Sequence, residues 1–161
     1  MQRPAPAGLR RRIAYVLGTW FGCGRVPYAP GTAGTLGAIP VYLALRPLGP
    51  LAVALGALVL TAVGVWSSTV VAAHAKVKDP QFVVIDEVAG VLVTLIAAPP
   101  TWLGLAVGVV LFRAFDMTKP WPANLAERRL PGGWGIVMDD IAAGAWGALV
   151  LVLLRLGRVL A

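Results

Sequence analysis

Carboxylates are scarce in this chain, and most of them lie close to one another in the sequence. Only seven of the 161 residues are Asp or Glu, and five of the seven fall in three short clusters beside uncharged, apolar runs. Adjacent carboxylates repel each other, and their desolvation next to apolar segments is costly. A favourable interaction must offset that cost. The clustered acids are Asp86, Glu87, Asp116, Asp139 and Asp140.

A hard divalent cation is the simplest partner for such a cluster. Magnesium takes oxygen ligands and is commonly held by a few carboxylates together with water and substrate phosphate. We therefore predict that the five acids form a pool of ligands for Mg²⁺, not all of which bind at once. The alternative is that Asp86-Glu87 and Asp139-Asp140 only cap the N-termini of their helices, where the helix dipole stabilises negative charge.

The apolar segments around the acids predict an all-α protein that is associated with a membrane. The chain is 58% hydrophobic and 13% charged, whereas soluble domains carry about 25% charged residues. Its apolar runs are long and lack the alternation of a strand, which favours helices. Residues 51–73 are long enough to cross a bilayer, which takes about 20 residues, and residues 141–154 form a shorter final run. We expect a compact multihelical bundle with the acid clusters at helix ends on one face.

Two adjacent prolines decide whether the acid clusters can meet. If residues 88–112 simply crossed the membrane, Asp86 and Asp116 would lie on opposite faces, about 30 Å apart. Pro99 and Pro100 instead predict a turn that brings Asp116 back beside Asp86. The resulting expectation is a helix over 86–98, a second helix over 101–119, a loop over 120–138, and Asp139-Asp140 at the start of the last helix.

The net charge and the cysteine content indicate where in the cell the protein is located and which partners are expected. The net charge of +7 comes mainly from arginine, and basic clusters beside apolar runs are typical of the cytoplasmic face of a membrane. Nucleic-acid-binding proteins are usually polar chains with a basic stripe, so no nucleic-acid partner is expected. The single Cys23 excludes an intramolecular disulfide.

We expect a basic, loosely ordered N-terminal segment over 1–17, with no signal peptide, and one domain over 18–161 that opens with a glycine-rich loop over 18–37.

Four stretches of the sequence together resemble the successive motifs of the phosphatidylglycerophosphatase A family. The resemblance extends from about Gly18 to Leu154, in order and with comparable spacing. It implies an all-helical, magnesium-dependent enzyme of the bacterial inner membrane, with its active face towards the cytoplasm. The implied reaction removes the terminal phosphate of phosphatidylglycerophosphate to give phosphatidylglycerol, a step of phospholipid biosynthesis. The four stretches are PGTAGTLGAIP (30–40), DPQFVVIDEVAG (79–90), FRAFDMTKPWP (112–122) and GGWGIVMDDIAAG (132–144).

Two cations near the acid clusters complete the expected catalytic set. A phosphomonoesterase must neutralise phosphate charge and supply or orient a nucleophile, and metal ions can do both. One of the acids can act as general base, and we assign Asp116 as a catalytic residue. Direct attack by water and a phosphoenzyme on an Asp both remain open. Arg113 and Lys119 are predicted to be catalytic and to bind phosphate oxygens, because Arg offers a bidentate fork. The alternatives are an ion pair between Arg113 and Asp116, and a solvated Lys119 at a helix end.

The stretch PGTAGT offers backbone donors for an anion. Gly31 and Gly34 let N–H groups approach phosphate, and Thr32 and Thr35 add hydroxyls, so these four residues are predicted to bind the substrate phosphate. No Gly-Lys pair occurs in the chain, so the stretch is not a Walker A loop. The alternative is a tight turn before a helix, with Thr35 as the cap.

Other phosphatase chemistries lack their residues here. Cys23 has no arginine six positions later, no Asp-x-Asp occurs, and His74 is the only histidine, which favours a structural hydrogen bond for that ring. A small helical transport or channel subunit that binds a coupling cation is the alternative from a different class. Its carboxylates would lie mid-helix, whereas these lie at the boundaries of apolar runs, so the hydrolase is favoured. A different lipid phosphate as substrate is a third possibility.

Overall fold

The computed structural model describes residues 8–160, and within that range it contains helices and no strands. The prediction of an all-α fold is therefore confirmed. Short 3₁₀ turns lie at Cys23–Arg25 and Arg46–Leu48. The α-helices are α1 (Leu9–Gly18), α2 (Pro30–Gly37), α3 (Ile39–Leu45), α4 (Pro50–Ala75), α5 (Ile85–Leu95), α6 (Trp102–Thr118), α7 (Ala123–Arg129) and α8 (Gly133–Leu156).

Helix α5 is the centre of the bundle. Nine of its eleven residues are buried, and it contacts α2, α4, α6 and α8. Tyr42 from α3, Phe112 from α6, and Leu92 and Leu95 from α5 belong to the main hydrophobic core. Burial of apolar surface is the dominant favourable term in folding. The packing that holds α5 therefore also fixes the acids in its first turn.

The predicted hairpin between α5 and α6 is confirmed. The prolines lie in the connection between the two helices, and the Thr101 side chain caps α6 by accepting a hydrogen bond of 3.0 Å from the Gly104 N–H. Asp86 lies in the first turn of α5, and Asp116 lies in the last turn of α6. The two acids are consequently at the same end of the bundle.

Glycines let α5 and α8 approach each other closely. A Cβ atom on Gly144 would lie 2.3 Å from the Gly90 carbonyl oxygen, and a Cβ on Gly90 would lie 2.7 Å from the Asp140 carbonyl oxygen. The Thr94 hydroxyl donates a hydrogen bond of 3.1 Å to the Gly144 carbonyl across the same interface. Asp86 and Asp140 each precede one of these glycines by four residues, which is about one helical turn. The crossing therefore brings these two acids together.

Helix α8 begins earlier than the sequence predicted. Asp139 and Asp140 lie inside α8, which starts at Gly133, so the prediction that they lie at its start is wrong, and so is the alternative that they only cap it. The Gly133 N–H donates instead to the Thr69 hydroxyl at 3.0 Å. A Cβ on Gly133 would lie 2.1 Å from the Val65 carbonyl oxygen, so only glycine permits this contact with α4.

Three segments that were predicted to be irregular contain helices. Within the predicted loose entry over 1–17, α1 forms and packs against α4; residues 1–7 lie outside the described part of the chain. The predicted glycine-rich loop over 18–37 contains a 3₁₀ turn and α2. The predicted loop over 120–138 contains α7 and the start of α8. Glycine was read as a loop signal in these segments, whereas several of the glycines serve close helix packing.

Two of the described helices are long and apolar enough to cross a bilayer. They are α4, with 26 residues, and α8, with 24 residues. The first contains the predicted span over 51–73, and the second extends the predicted final run over 141–154 towards its N-terminus. Length and composition are the only grounds for this assignment.

The glycine contact between α5 and α8 gives a first testable prediction. We expect Gly144→Ala to lower the free energy of unfolding by about 1–3 kcal/mol, the usual range for overpacking, because the added methyl group meets backbone that cannot rotate away. The measurement is thermal unfolding of the purified protein in mild detergent.

Gly18→Ala is the matched control for that experiment. Gly18 is also a buried helical glycine, but a Cβ there would meet its nearest neighbour, Val71, at an ordinary 3.6 Å. The account predicts little change for this variant. An unfolding temperature for Gly144→Ala equal to that of Gly18→Ala would show that the close contact is not needed.

Candidate active site

All five predicted acids line one cavity. The cavity has a volume of about 290 Å³ and opens at the end of the bundle where α5 begins and α6 ends. Both predicted cations, Arg113 and Lys119, line it as well. The sequence-based prediction that the three acid clusters share one face is therefore confirmed in geometry. The remaining residues that line the cavity are Tyr28, Pro30, Gly31, Asp79, Gln81 and Val83.

Three of the carboxylates form a compact centre at this cavity. One ligand oxygen from each of Asp86, Glu87 and Asp140 lies within 4.8 Å of the other two. Asp86 Oδ1, Glu87 Oε2 and Asp140 Oδ2 are buried and have no hydrogen-bond partner. Buried polar atoms in native proteins are almost always satisfied. A compact group of three carboxylates, each with an orphaned oxygen, fits the ligand set of a hard cation.

Burial and neighbouring acids disfavour the ionised forms of Asp86 and Glu87. Burial raises the pKa of Asp86 well above its ordinary value, and the charges of Glu87 and Asp140 add to the rise. Burial also raises the pKa of Glu87, to about 7, although Arg113 opposes that shift. Desolvation and like charges both penalise the ionised form. A cation among these oxygens would counter both effects.

The other two acids already have protein cations as partners. Arg113 Nη1 lies 2.5 Å from Asp116 Oδ2, and Lys119 Nζ lies 2.7 Å from Asp139 Oδ2. The ion pair of Arg113 with Asp116 was one of the alternatives from the sequence, and it is present. Lys119 ends α6 with a left-handed φ of 44°, and its side chain lines the cavity instead of extending into solvent. Arg113 carries further N–H donors that its pair with Asp116 does not use.

The PGTAGT stretch contributes one residue to the cavity. Gly31 lines it, and a Cβ there would lie 2.4 Å from Glu87 Oε1, so glycine makes room for that carboxylate. Thr32 is exposed and lies outside the cavity lining. Gly34 packs against Val84, and the buried Thr35 donates its hydroxyl to the Gly31 carbonyl within α2.

The prediction that the PGTAGT stretch forms a loop is wrong, because these residues are helical. Thr32, Gly34 and Thr35 are not among the residues that line the acid cavity. The alternative in which Thr35 caps a following helix is also wrong, because its side chain bonds within α2. Phosphate binding by Gly31, Thr32, Gly34 and Thr35 stays a prediction.

The sequence reasoning missed three polar residues of the cavity. Asp79 lies in the connection between α4 and α5, and its charge contributes to the raised pKa of Asp86. Gln81 and Tyr28 are exposed residues of the cavity lining, and Tyr28 has a left-handed φ of 69°. Asp79 and Gln81 lie within the 79–90 stretch, but a single acid in a polar break is typical of an ordinary surface loop.

His74 lies away from the acids. Its Nδ1 is 3.0 Å from the Tyr15 hydroxyl, and neither residue lines the acid cavity. The expectation of a structural hydrogen bond for this ring is confirmed.

Comparison with known proteins identifies the family of the chain. The family model described as Phosphatidylglycerophosphatase A matches residues 16–155. The chain is 38% identical over 138 residues to the phosphatidylglycerophosphatase A of Escherichia coli strain K12. The aligned region covers 85% of this chain and 80% of that protein. It is 32% identical over 139 residues to the phosphatidylglycerophosphatase A of Haemophilus influenzae strain Rd, which covers 85% of each.

A relative with a different name is similarly close. The chain is 36% identical over 152 residues to a Bacteroides thetaiotaomicron protein that is provisionally named a phosphatidylinositol-3-phosphatase. The aligned region covers 89% of this chain and 94% of that protein. No solved structure gives a significant match. The family match spans α2 to α7 completely and most of α8, and thus every acid of the cavity. The chain therefore belongs to the phosphatidylglycerophosphatase A family of phosphoric monoester hydrolases.

Proposed function

We propose that this protein is a magnesium-dependent phosphatase that converts phosphatidylglycerophosphate to phosphatidylglycerol and inorganic phosphate, as a step of phospholipid biosynthesis. The observation that carries the proposal is the grouping of three carboxylates with orphaned oxygens, Asp86, Glu87 and Asp140, beside Arg113 and Lys119 in one cavity. Membership of the family supplies the reaction class, and the names of two relatives supply the substrate.

The five acids fall into two groups, those proposed to bind Mg²⁺ and those that form ion pairs with protein cations. Asp86, Glu87 and Asp140 would hold Mg²⁺, which when bound supplies positive charge to phosphate oxygens and polarises a water molecule. Asp116 and Asp139 hold Arg113 and Lys119 in the same cavity through their ion pairs. The planar guanidinium of Arg113 offers paired N–H donors to phosphate oxygens, and Lys119 contributes positive charge to the same cavity.

The reaction itself requires three changes at the phosphate. A bond forms between a water oxygen and phosphorus, the bond from phosphorus to the terminal glycerol oxygen breaks, and that oxygen gains a proton. Asp116 is the proposed catalytic residue, because it lies in the cavity beside the cation Arg113 and outside the compact three-carboxylate centre. It can take a proton from the attacking water, or it can attack phosphorus to form an aspartyl phosphate, which water then hydrolyses to release phosphate.

The proposed location is the bacterial inner membrane, with the cavity on the cytoplasmic side. Helices α4 and α8 have the length and composition of membrane spans. The C-terminal end of α4 and the N-terminal end of α8 both lie near the acids, because Gly133 bonds to Thr69 and Asp140 lies at the cavity. The substrate headgroup would then be reached at the membrane surface. The family assignment favours this hydrolase over a cation-coupled transport subunit.

Removal of one carboxylate tests the cation centre through activity. We expect Asp140→Asn to reduce phosphate release from phosphatidylglycerophosphate by at least about 100-fold, the scale on which a single electrostatic group acts in catalysis. EDTA should abolish release by the wild-type protein, and Mg²⁺ should restore it. Cys23→Ser is the control and should keep full activity, since Cys23 lies outside the cavity lining. Undiminished release by Asp140→Asn in Mg²⁺ would contradict the assignment.

Thermal stability tests the same centre without any substrate. A ligand at about 100 times its dissociation constant stabilises a folded protein by about 2.7 kcal/mol. We expect Mg²⁺ to raise the unfolding temperature of the wild-type protein and to leave that of Asp86→Asn nearly unchanged. Scanning calorimetry in mild detergent, with and without EDTA, provides the measurement. Equal shifts in the two proteins would place the cation somewhere else.

Substrate preference separates the two lipid headgroups that the relatives' names suggest. Phosphatidylglycerophosphate and phosphatidylinositol 3-phosphate are both phosphate monoesters on a polyol, and the cavity alone does not distinguish them. We expect the higher kcat/KM for phosphatidylglycerophosphate when both are presented at equal mole fraction in the same micelles, with phosphatidic acid as a third arm. A higher kcat/KM for phosphatidylinositol 3-phosphate would correct the substrate.

A further inference from the structure

A second cavity lies between α1 and α4, separate from the acids. It is a groove of about 330 Å³, and it shares no lining residue with the acid cavity. None of its described lining residues is acidic. The groove is lined by Arg10, Arg11, Thr69, Val70, Ala73 and His74.

We propose that this groove binds the phosphate headgroup of an anionic phospholipid other than the substrate. Arg10 and Arg11 are exposed on α1, and guanidinium groups bind phosphate oxygens through paired N–H donors. Val70 and Ala73 supply an apolar surface beside these cations. Cations next to an apolar surface suit a phospholipid, whose anionic headgroup lies next to its acyl chains.

His74 adds a third polar group to the groove. Its Nδ1 lies 3.0 Å from the Tyr15 hydroxyl, and the two rings meet edge to face. When Nδ1 accepts from that hydroxyl, the ring hydrogen is on Nε2, which can then donate to an oxyanion. The contact with Tyr15 thus gives the histidine a defined orientation within the groove.

The outer face of α1 fits the surface of a bilayer. Leu9, Ile13 and Val16 are 74%, 42% and 46% exposed, and their spacing places them along one side of the helix. Ala14 and Tyr15 face the bundle and are buried. A short helix with an exposed apolar stripe beside arginines is typical of helices that lie in the interface of an anionic membrane.

The position of α1 links this surface to the reaction. The Gly18 carbonyl at the end of α1 accepts a hydrogen bond of 2.8 Å from the Val84 N–H, two residues before Asp86. The α4 residues of the groove lie in the last two turns of that helix, and the connection that follows it carries Asp79 of the acid cavity, so the two cavities are at the same end of the bundle. A lipid held at α1 would keep the acid cavity at the level of the headgroups, where a lipid monoester is presented.

Lipid binding to the full-length protein tests the proposal. The protein in neutral detergent is titrated with phosphatidylserine, with phosphatidylcholine of the same acyl chains, and with inorganic phosphate, and bound molecules are counted by native mass spectrometry. We expect phosphatidylserine to bind at least about tenfold more tightly than phosphatidylcholine, as two arginines near an anionic headgroup allow. The double variant Arg10→Gln/Arg11→Gln should lose most of that preference.

A charge-matched control decides whether the site is specific. Arg128→Gln/Arg129→Gln removes the same charge from exposed positions on α7 and should keep the preference for phosphatidylserine. Equal loss in both double variants, no preference in the wild-type protein, or displacement of phosphatidylserine by inorganic phosphate would each overturn the proposal. Hydrolysis of a water-soluble phosphate monoester should be unchanged in Arg10→Gln/Arg11→Gln, so failure of the groove and failure of the proposed catalysis are distinguishable.

Discussion

The close contact between α5 and α8 is the constraint on which the candidate active site depends. Gly90 and Gly144 have no side chains, so the two backbones meet at a distance that any larger residue would prevent. One turn earlier on each helix, Asp86 and Asp140 are forced together in a buried position. The fold therefore uses close helix packing to hold two acidic side chains next to each other. Such an arrangement is costly unless a cation neutralises it.

The rest of the bundle can be understood as support for that pair. The α5–α6 hairpin returns Arg113 and Asp116 to the acid end, and α2 leaves room for the Glu87 carboxylate through Gly31. Protein cations pair with Asp116 and Asp139, but not with the orphaned oxygens of the other three acids. The result is one cavity that contains both positive groups for an oxyanion and negative groups for a metal ion.

The sequence predicted the hairpin and the meeting of the acids because the signals for both are local. Two prolines end one helix, a threonine starts the next, and the number of residues in each helix fixes where Asp116 lies. The start of α8 could not be predicted, because it depends on the contact of Gly133 with α4. The helix α2 was missed for a similar reason: its glycines resemble a loop, but Gly34 serves packing against Val84. Tyr28 reaches the cavity through tertiary structure alone.

Direct binding of a paramagnetic cation tests the central claim most directly. Mn²⁺ accepts the same oxygen ligands as Mg²⁺ and is visible by electron paramagnetic resonance. The account predicts that the folded wild-type protein in detergent binds Mn²⁺ at a site from which Mg²⁺ displaces it. It also predicts that the folded Asp86→Asn/Asp140→Asn protein lacks this site. Absence of bound Mn²⁺ in the wild-type protein, or equal binding by both proteins, would contradict the three-carboxylate centre.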